Sequence, residues 1–180
     1  MKQHLVEQLE IPSGVICEMI NNNLKCKKGD IELSRNMDVP SLDFSVKDNK
    51  IILECKTGNK RNFKTIKSYV AHIKNMFSGL QEEFIYKLES CNVHFPTTIK
   101  VEGDNVIITN FLGEKTPRFA KIIPGAKVDV KGQKITVSSR DKNAAGQTSA
   151  NLEKATKIRN RDRRIFQDGI FITDRPGGAK

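Results

Sequence analysis

The chain has 180 residues, 37% of them hydrophobic and 29% charged, with no Trp and a formal charge of +10. That composition supports a modest core of Phe, Ile, Val and Leu in one large or two small domains. No apolar run approaches the roughly 20 residues of a membrane helix, and Met1-Lys2-Gln3-His4-Leu5 lacks the apolar stretch of a signal peptide, so a cytoplasmic protein is expected.

In chain order, alternation through Val15-Ile16-Cys17-Glu18-Met19 and Leu24-Lys25-Cys26 predicts a hairpin turning at Asn21-Asn22-Asn23. Alternating residues 41–46 and 51–55 flank Lys47-Asp48-Asn49-Lys50 and predict a second hairpin. A helical period follows, with Phe63, Ile66, Val70, Ile73 and Phe77 on one face and Lys60, Arg61, Lys64, Lys67 and Lys74 elsewhere. Phe84, Tyr86 and Leu88 then alternate as a strand.

Further strands are predicted over residues 98–101, 106–110, 127–130 and 134–138, and a second helix over about 141–159. Ser138 with Asp141 three residues on is a helix-start signal, and Ala145, Thr148, Leu152, Ala155 and Ile158 form its apolar stripe.

The chain laid over itself at an offset of 84 matches without a gap: Pro12 meets Pro96, Gly29 meets Gly113, Pro40 meets Pro124, and Lys50-Ile51 meets Lys134-Ile135. Apolar character follows, with Val15 and Cys17 over Ile99 and Val101, and Leu53 over Val137. The expected fold is therefore α+β, two duplicated domains over residues 1–83 and 84–180, each a small antiparallel sheet with one packed helix.

Cys17, Cys26, Cys55 and Cys91 stand singly in strand-like stretches, without the spacing of a zinc site, and read as small apolar fillers; neither metal nor disulfide is expected. Walker, G-x-S-x-G and H-E-x-x-H patterns are missing. His72 and His94 stand alone, and neighbouring Glu82 and Glu83 point apart on any regular element. The chain is expected to be no enzyme and to need no cofactor.

Charge is uneven: residues 1–90 carry 14 Lys and Arg against 12 Asp and Glu, whereas residues 91–180 carry 17 against 9. A surface that neutralises phosphates needs cations concentrated in this way. The sharpest concentration is Lys157-Ile158-Arg159-Asn160-Arg161-Asp162-Arg163-Arg164. Cations favouring a helix C-terminus account for one or two of these, not five, and guanidinium forks suit phosphate oxygens. Gly113-Glu114-Lys115 with Arg118, and Arg175-Pro176-Gly177-Gly178-Ala179-Lys180, are weaker signals of the same kind.

Two segments carry a family resemblance: Gly146-Gln147-Thr148-Ser149-Ala150-Asn151 running through Ala155-Thr156-Lys157-Ile158, and Asp162-Arg163-Arg164-Ile165-Phe166-Gln167-Asp168-Gly169-Ile170. Supporting stretches are Ala71-His72-Ile73-Lys74-Asn75-Met76, His94-Phe95-Pro96 and Asn110-Phe111-Leu112-Gly113-Glu114-Lys115. The chain resembles, over almost its whole length, the archaeal form of the ribosomal protein L-six family, called L-nine in eukaryotes. It departs from the family pattern at Cys26-Lys27-Lys28-Gly29 and at Ser78-Gly79-Leu80-Gln81-Glu82-Glu83, both in the first copy.

The resemblance implies a ribosome-bound constituent of the large subunit that binds large-subunit ribosomal RNA near the sarcin–ricin loop, where translational GTPases dock, mainly through the second domain. Neighbouring large-subunit proteins are the other implied partners. Carried over by position, the expected RNA-facing residues are Lys115, Arg118, Gly146, Gln147, Lys157, Arg159, Asn160, Arg161, Arg163, Arg164, Gln167 and Gly169. Two other classes compete: a free RNA-binding module acting on other transcripts, and a hydrolase using the cleft between the repeats.

Overall fold

The computed structural model describes residues 3–40, 42–47, 49–162 and 164–177. The chain divides into two compact units, Met1–Glu82 and Glu83–Lys180. In the first, strands β1 (Gln3–Glu10), β5 (Asp43–Lys47) and β6 (Lys50–Gly58) form one antiparallel sheet in the order β1-β6-β5. Strands β2 (Ile16–Ile20), β3 (Asn23–Lys28) and β4 (Ile31–Asn36) form a second as a simple meander. Helix α1 (Lys60–Gln81) touches both sheets.

Strand alternation drives this arrangement. Ile51, Leu53 and Cys55 of β6 and Leu24 and Cys26 of β3 point inward with Ile66, Ile73 and Leu80 of α1, and all are buried in one core. The β2–β3 turn is a two-residue loop in which Asn21 and Asn22 have φ of 48° and 60°. Asn tolerates the left-handed conformation that such a turn demands. Asn59 caps α1, its side chain accepting from the N–H groups of Arg61 and Asn62.

The second unit repeats the plan. Strands β7 (Phe84–Cys91), β11 (Lys127–Lys131) and β12 (Lys134–Ser139) correspond to β1, β5 and β6, and strands β8 (Thr98–Glu102), β9 (Asn105–Thr109) and β10 (Arg118–Lys121) to the meander. Helix α2 (Lys142–Ala155) follows β12. An added strand, β13 (Gly169–Asp174), pairs with β7 and extends the first sheet to β11-β12-β7-β13. Leu88, Val106, Ile108, Phe111, Ile135, Val137 and Leu152 form the core.

The duplication is present, with two sheets per unit in place of one. Its register corrects the ungapped offset. Lys47↔Lys50 and Lys131↔Lys134 close equivalent hairpins 84 residues apart, but Cys17↔Cys26 is matched by Ile99↔Ile108, 82 apart. A shift of two leaves inward and outward positions unchanged, which is why the alternation matched under either offset.

Four expectations need correction. Phe63 is 44% exposed, its ring beside Lys67, and the buried stripe of α1 runs instead through Ile66, Ile73, Met76, Phe77 and Leu80. Ser138 lies in β12, and Asp141 is the cap of α2, accepting from Asn143 N–H. Helix α2 ends at Ala155, so the basic residues 157–164 follow the helix and do not extend it. Strands β1, β4, β10 and β13 were not foreseen. Among the described residues no helix is long and apolar enough to cross a membrane, and no three His, Cys, Asp or Glu side chains cluster to hold a metal.

Candidate nucleic-acid interface

The basic segment is shaped by what stops α2. Thr156, the C-cap residue, is buried, and its hydroxyl lies 3.3 Å from the Glu153 carbonyl while accepting from the N–H of Ile170 at 2.9 Å. One side chain thus occupies the helix end and fastens it to the start of β13. At the far end of the segment, the buried Asp168 carboxylate accepts from the N–H of Val93 at 2.8 Å. Residues 157–162 and 164–167 form an irregular loop between these two anchors. Buried polar groups with partners cost little, whereas stripping a partner is expensive, so both anchors resist displacement.

Arg118 joins this loop to another. Its guanidinium donates to both oxygens of Glu114, Nε at 2.8 Å and a terminal nitrogen at 2.6 Å, in a bidentate pair. Its other terminal nitrogen donates to the carbonyls of Ala155 at 2.9 Å and Lys157 at 3.4 Å, and the plane lies 4.4 Å from the Phe111 ring centroid. A cation at a helix C-terminus answers carbonyls that the helix itself leaves unpaired. The β9–β10 connection, residues 110–117, is thereby tied to the end of α2. Arg118 holds the Glu114 carboxyl below its ordinary range, and Arg161 adds a weaker pull on the same group.

The expected site residues fall into three settings. Lys157, Arg159, Asn160, Arg161, Arg164 and Gln167 are exposed on the loop after α2, and Lys115 is exposed on the β9–β10 connection. Arg161 stacks over Phe166 at 4.8 Å. Arg164 donates to the Asp162 carboxylate, with a closest approach of 2.9 Å, which lowers the Asp162 pKa and raises that of Arg164. Gln167 donates to the Arg164 carbonyl, bracing the loop from within. Gln147 is exposed on α2 and donates to Asn151, which in turn donates to the Lys121 carbonyl. Arg163 lies outside the described residues.

Arg118, Gly146 and Gly169 are placed differently: they face the protein. A Cβ on Gly146 would stand 3.0 Å from the Tyr86 hydroxyl, so the glycine lets α2 lie close to β7. Gly169 is buried with φ +156°, and a Cβ there would meet the Phe171 ring at 3.1 Å. Sequence reasoning named these positions but gave no anchoring role to Glu114, Thr156 or Asp168. The Glu-x-x-x-Arg spacing of Glu114 and Arg118 was a readable signal; the long-range pairings of Thr156 and Asp168 left none.

An open groove of about 1250 Å³ lies beside the loop, with Lys154, Lys157, Arg159, Gln167 and Gly169 among its lining and Glu89 and Cys91 on the opposite strand. Its mixed charge and open form suit a polymer's backbone and edges more than an enclosed small molecule.

Fold and site together define a class: a duplicated α+β protein whose second unit carries a pinned, cation-rich loop with the chemistry of a phosphate-binding face. Comparison with known proteins gives the particular family. The family model of ribosomal protein L6 matches residues 95–169, which span both tied loops. The large ribosomal subunit protein uL6 of Methanococcus vannielii is 40% identical over 171 residues, 95% of this chain and 94% of the relative. That of Methanobrevibacter smithii is 43% identical over 166 residues, 92% and 93% of the two chains. The chain belongs to the ribosomal protein L6 family.

Proposed function

We propose that the protein is a structural constituent of the large ribosomal subunit, held there by ribosomal RNA that its second unit grips through the loop after α2. The observation that carries this reading is the pairing of exposure with anchorage. Lys157, Arg159, Arg161 and Arg164 are exposed, while Thr156, Arg118 and Asp168 fix the ends of their loop. A pinned loop loses less conformational freedom on binding than a free one. Its cations neutralise phosphates, and the fixed spacing between them reads the shape of folded RNA, whose A-form major groove is closed to side chains. Gly146, Gly169 and Arg118 act at one remove, by holding α2 and the loop in place.

As a member of a ribosomal protein family the chain is not an enzyme, and the hydrolase alternative falls with that. The RNA contacted is further proposed to lie near the sarcin–ricin loop and the site of translational GTPases, with neighbouring large-subunit proteins as the other partners; the L-six resemblance supports this. Titration of the full chain with large-subunit ribosomal RNA across a salt series tests the grip. Log affinity should fall steeply with log salt, by about 0.7–0.9 per phosphate neutralised, and changing Lys157, Arg159, Arg161 and Arg164 to Ala should flatten the slope by about 3. An affinity indifferent to salt would overturn the reading.

A further inference from the structure

The first unit holds a pair of thiols that the RNA-binding role does not use. Cys17 on β2 and Cys26 on β3 are direct partners in the strand register, and their Sγ atoms lie 2.9 Å apart. Counting outward from the Ile20↔Asn23 pair that closes the two-residue turn, pairs alternate between hydrogen-bonded and non-hydrogen-bonded. Cys17↔Cys26 falls in the second kind, where opposed side chains approach most closely. The Cα separation of such a pair, about 4.5 Å, lies within the range that a disulfide bridges. Cys26 is fully buried and Cys17 only half-buried, so Cys17 is the residue of the pair that an oxidant reaches first.

We infer that Cys17 and Cys26 form a redox modification site, a cross-strand dithiol that hydrogen peroxide converts to an intramolecular disulfide and a small dithiol restores. The Cys17 sulfur, as thiolate, attacks one peroxide oxygen; the O–O bond breaks, and with one proton taken up the products are a Cys17 sulfenic acid and water. The Cys26 sulfur then attacks the Cys17 sulfur, the S–O bond breaks, and the Cys26 proton leaves with the hydroxide as a second water. Two thiols are oxidised by two electrons and one peroxide is reduced. The order of attack follows from geometry and is supported by electrostatics. A thiolate on Cys17 accepts a hydrogen bond from Cys26 and is favoured, whereas that same hydrogen bond, and burial after it, push the Cys26 thiol up. The bond would close residues 18–25 into a loop and staple β2 to β3.

Treatment of the reduced full chain with hydrogen peroxide, followed by alkylation and peptide mapping under non-reducing conditions, tests the site. The expected result is a Cys17–Cys26 linked peptide in a monomer, with Cys55 and Cys91 still alkylated and reversal by dithiothreitol. The Cys91→Ser variant should behave identically, and Cys17→Ser should leave Cys26 alkylatable. Oxidation confined to the exposed Cys91, giving disulfide-linked dimers while Cys17 and Cys26 both remain alkylatable, would overturn the inference in the wild-type chain, whatever the folding of the variants.

Discussion

The two units share a scaffold and differ in what is attached to it. In the first, β3 passes to β4 through the two-residue turn Gly29-Asp30, and Glu82-Glu83 alone separates α1 from the next strand. In the second, residues 110–117 replace that turn, residues 156–168 follow the helix, and β13 is added. The first unit carries 13 Lys and Arg against 10 Asp and Glu, the second 18 against 11. The two longer loops meet at Arg118, which touches Glu114 in one and the Ala155 and Lys157 carbonyls at the root of the other. A duplicated scaffold thus keeps its core in both copies while the longer, cation-rich loops gather in one copy.

The contrast is sharpest at Arg118. Its replacement by Ala removes a bidentate ion pair, a helix-end donor and a ring contact, and should cost the second unit about 2 kcal/mol after allowance for partial exposure. Hydrogen exchange should show the last turn of α2 opening while α1 keeps its protection; equal loss in both helices would mean that Arg118 does not act locally on α2. Arg118→Lys, which keeps the charge but not the fork, should restore only part of the protection.

Gly169→Ala comes next. Strain at its φ and contact with the Phe171 ring should together cost about 1–2 kcal/mol, read as a lower unfolding midpoint of the second unit. Phe171 is itself 38% exposed, so its ring can yield and the cost stays below that of a core clash. The two helix caps give a matched pair: Asn59→Ala and Asp141→Ala should each cost about 1 kcal/mol, one in each unit, with ribosomal RNA affinity unchanged by the first.

The smallest effect is a pH dependence at Glu114. Because Arg118 lowers its pKa in the folded state, its contribution is present above the ordinary carboxylate value of 4.5 and is lost as pH falls through the lowered one. Acid should therefore loosen the last turn of α2 before it affects α1. Glu114→Gln should abolish that difference, measured by hydrogen exchange across the acid range.

What was legible in the sequence divides along similar lines. Period-two alternation fixed the core strands, because Ile51, Leu53, Ile135 and Val137 must face inward wherever their sheets sit. The cation cluster at 157–164 was visible because it is contiguous. β13 was not, since Gly169-Ile170-Phe171-Ile172-Thr173-Asp174 is short, follows an irregular stretch and finds its partner β7 about 80 residues away. The end of α2 was misplaced for a related reason. Ile158 continues the helical period and is buried, but it packs from the loop, while Thr156 turns the chain toward β13. Arg118, Gly146 and Gly169 were singled out as RNA-facing, yet their packing partners lie far along the chain and emerge only once it is folded.

In the proposed function the cations of the second unit's loop hold the protein on large-subunit RNA. Co-sedimentation with purified large subunits after a high-salt wash tests it most directly, comparing wild type, a variant with Lys157, Arg159, Arg161 and Arg164 all changed to Ala, and one with Lys60, Arg61, Lys64 and Lys74 of α1 changed likewise. Wild type and the α1 variant should be retained at one copy per subunit, and the loop variant should be lost to the supernatant. Retention of the loop variant alongside loss of the α1 variant would instead put the grip on the first unit.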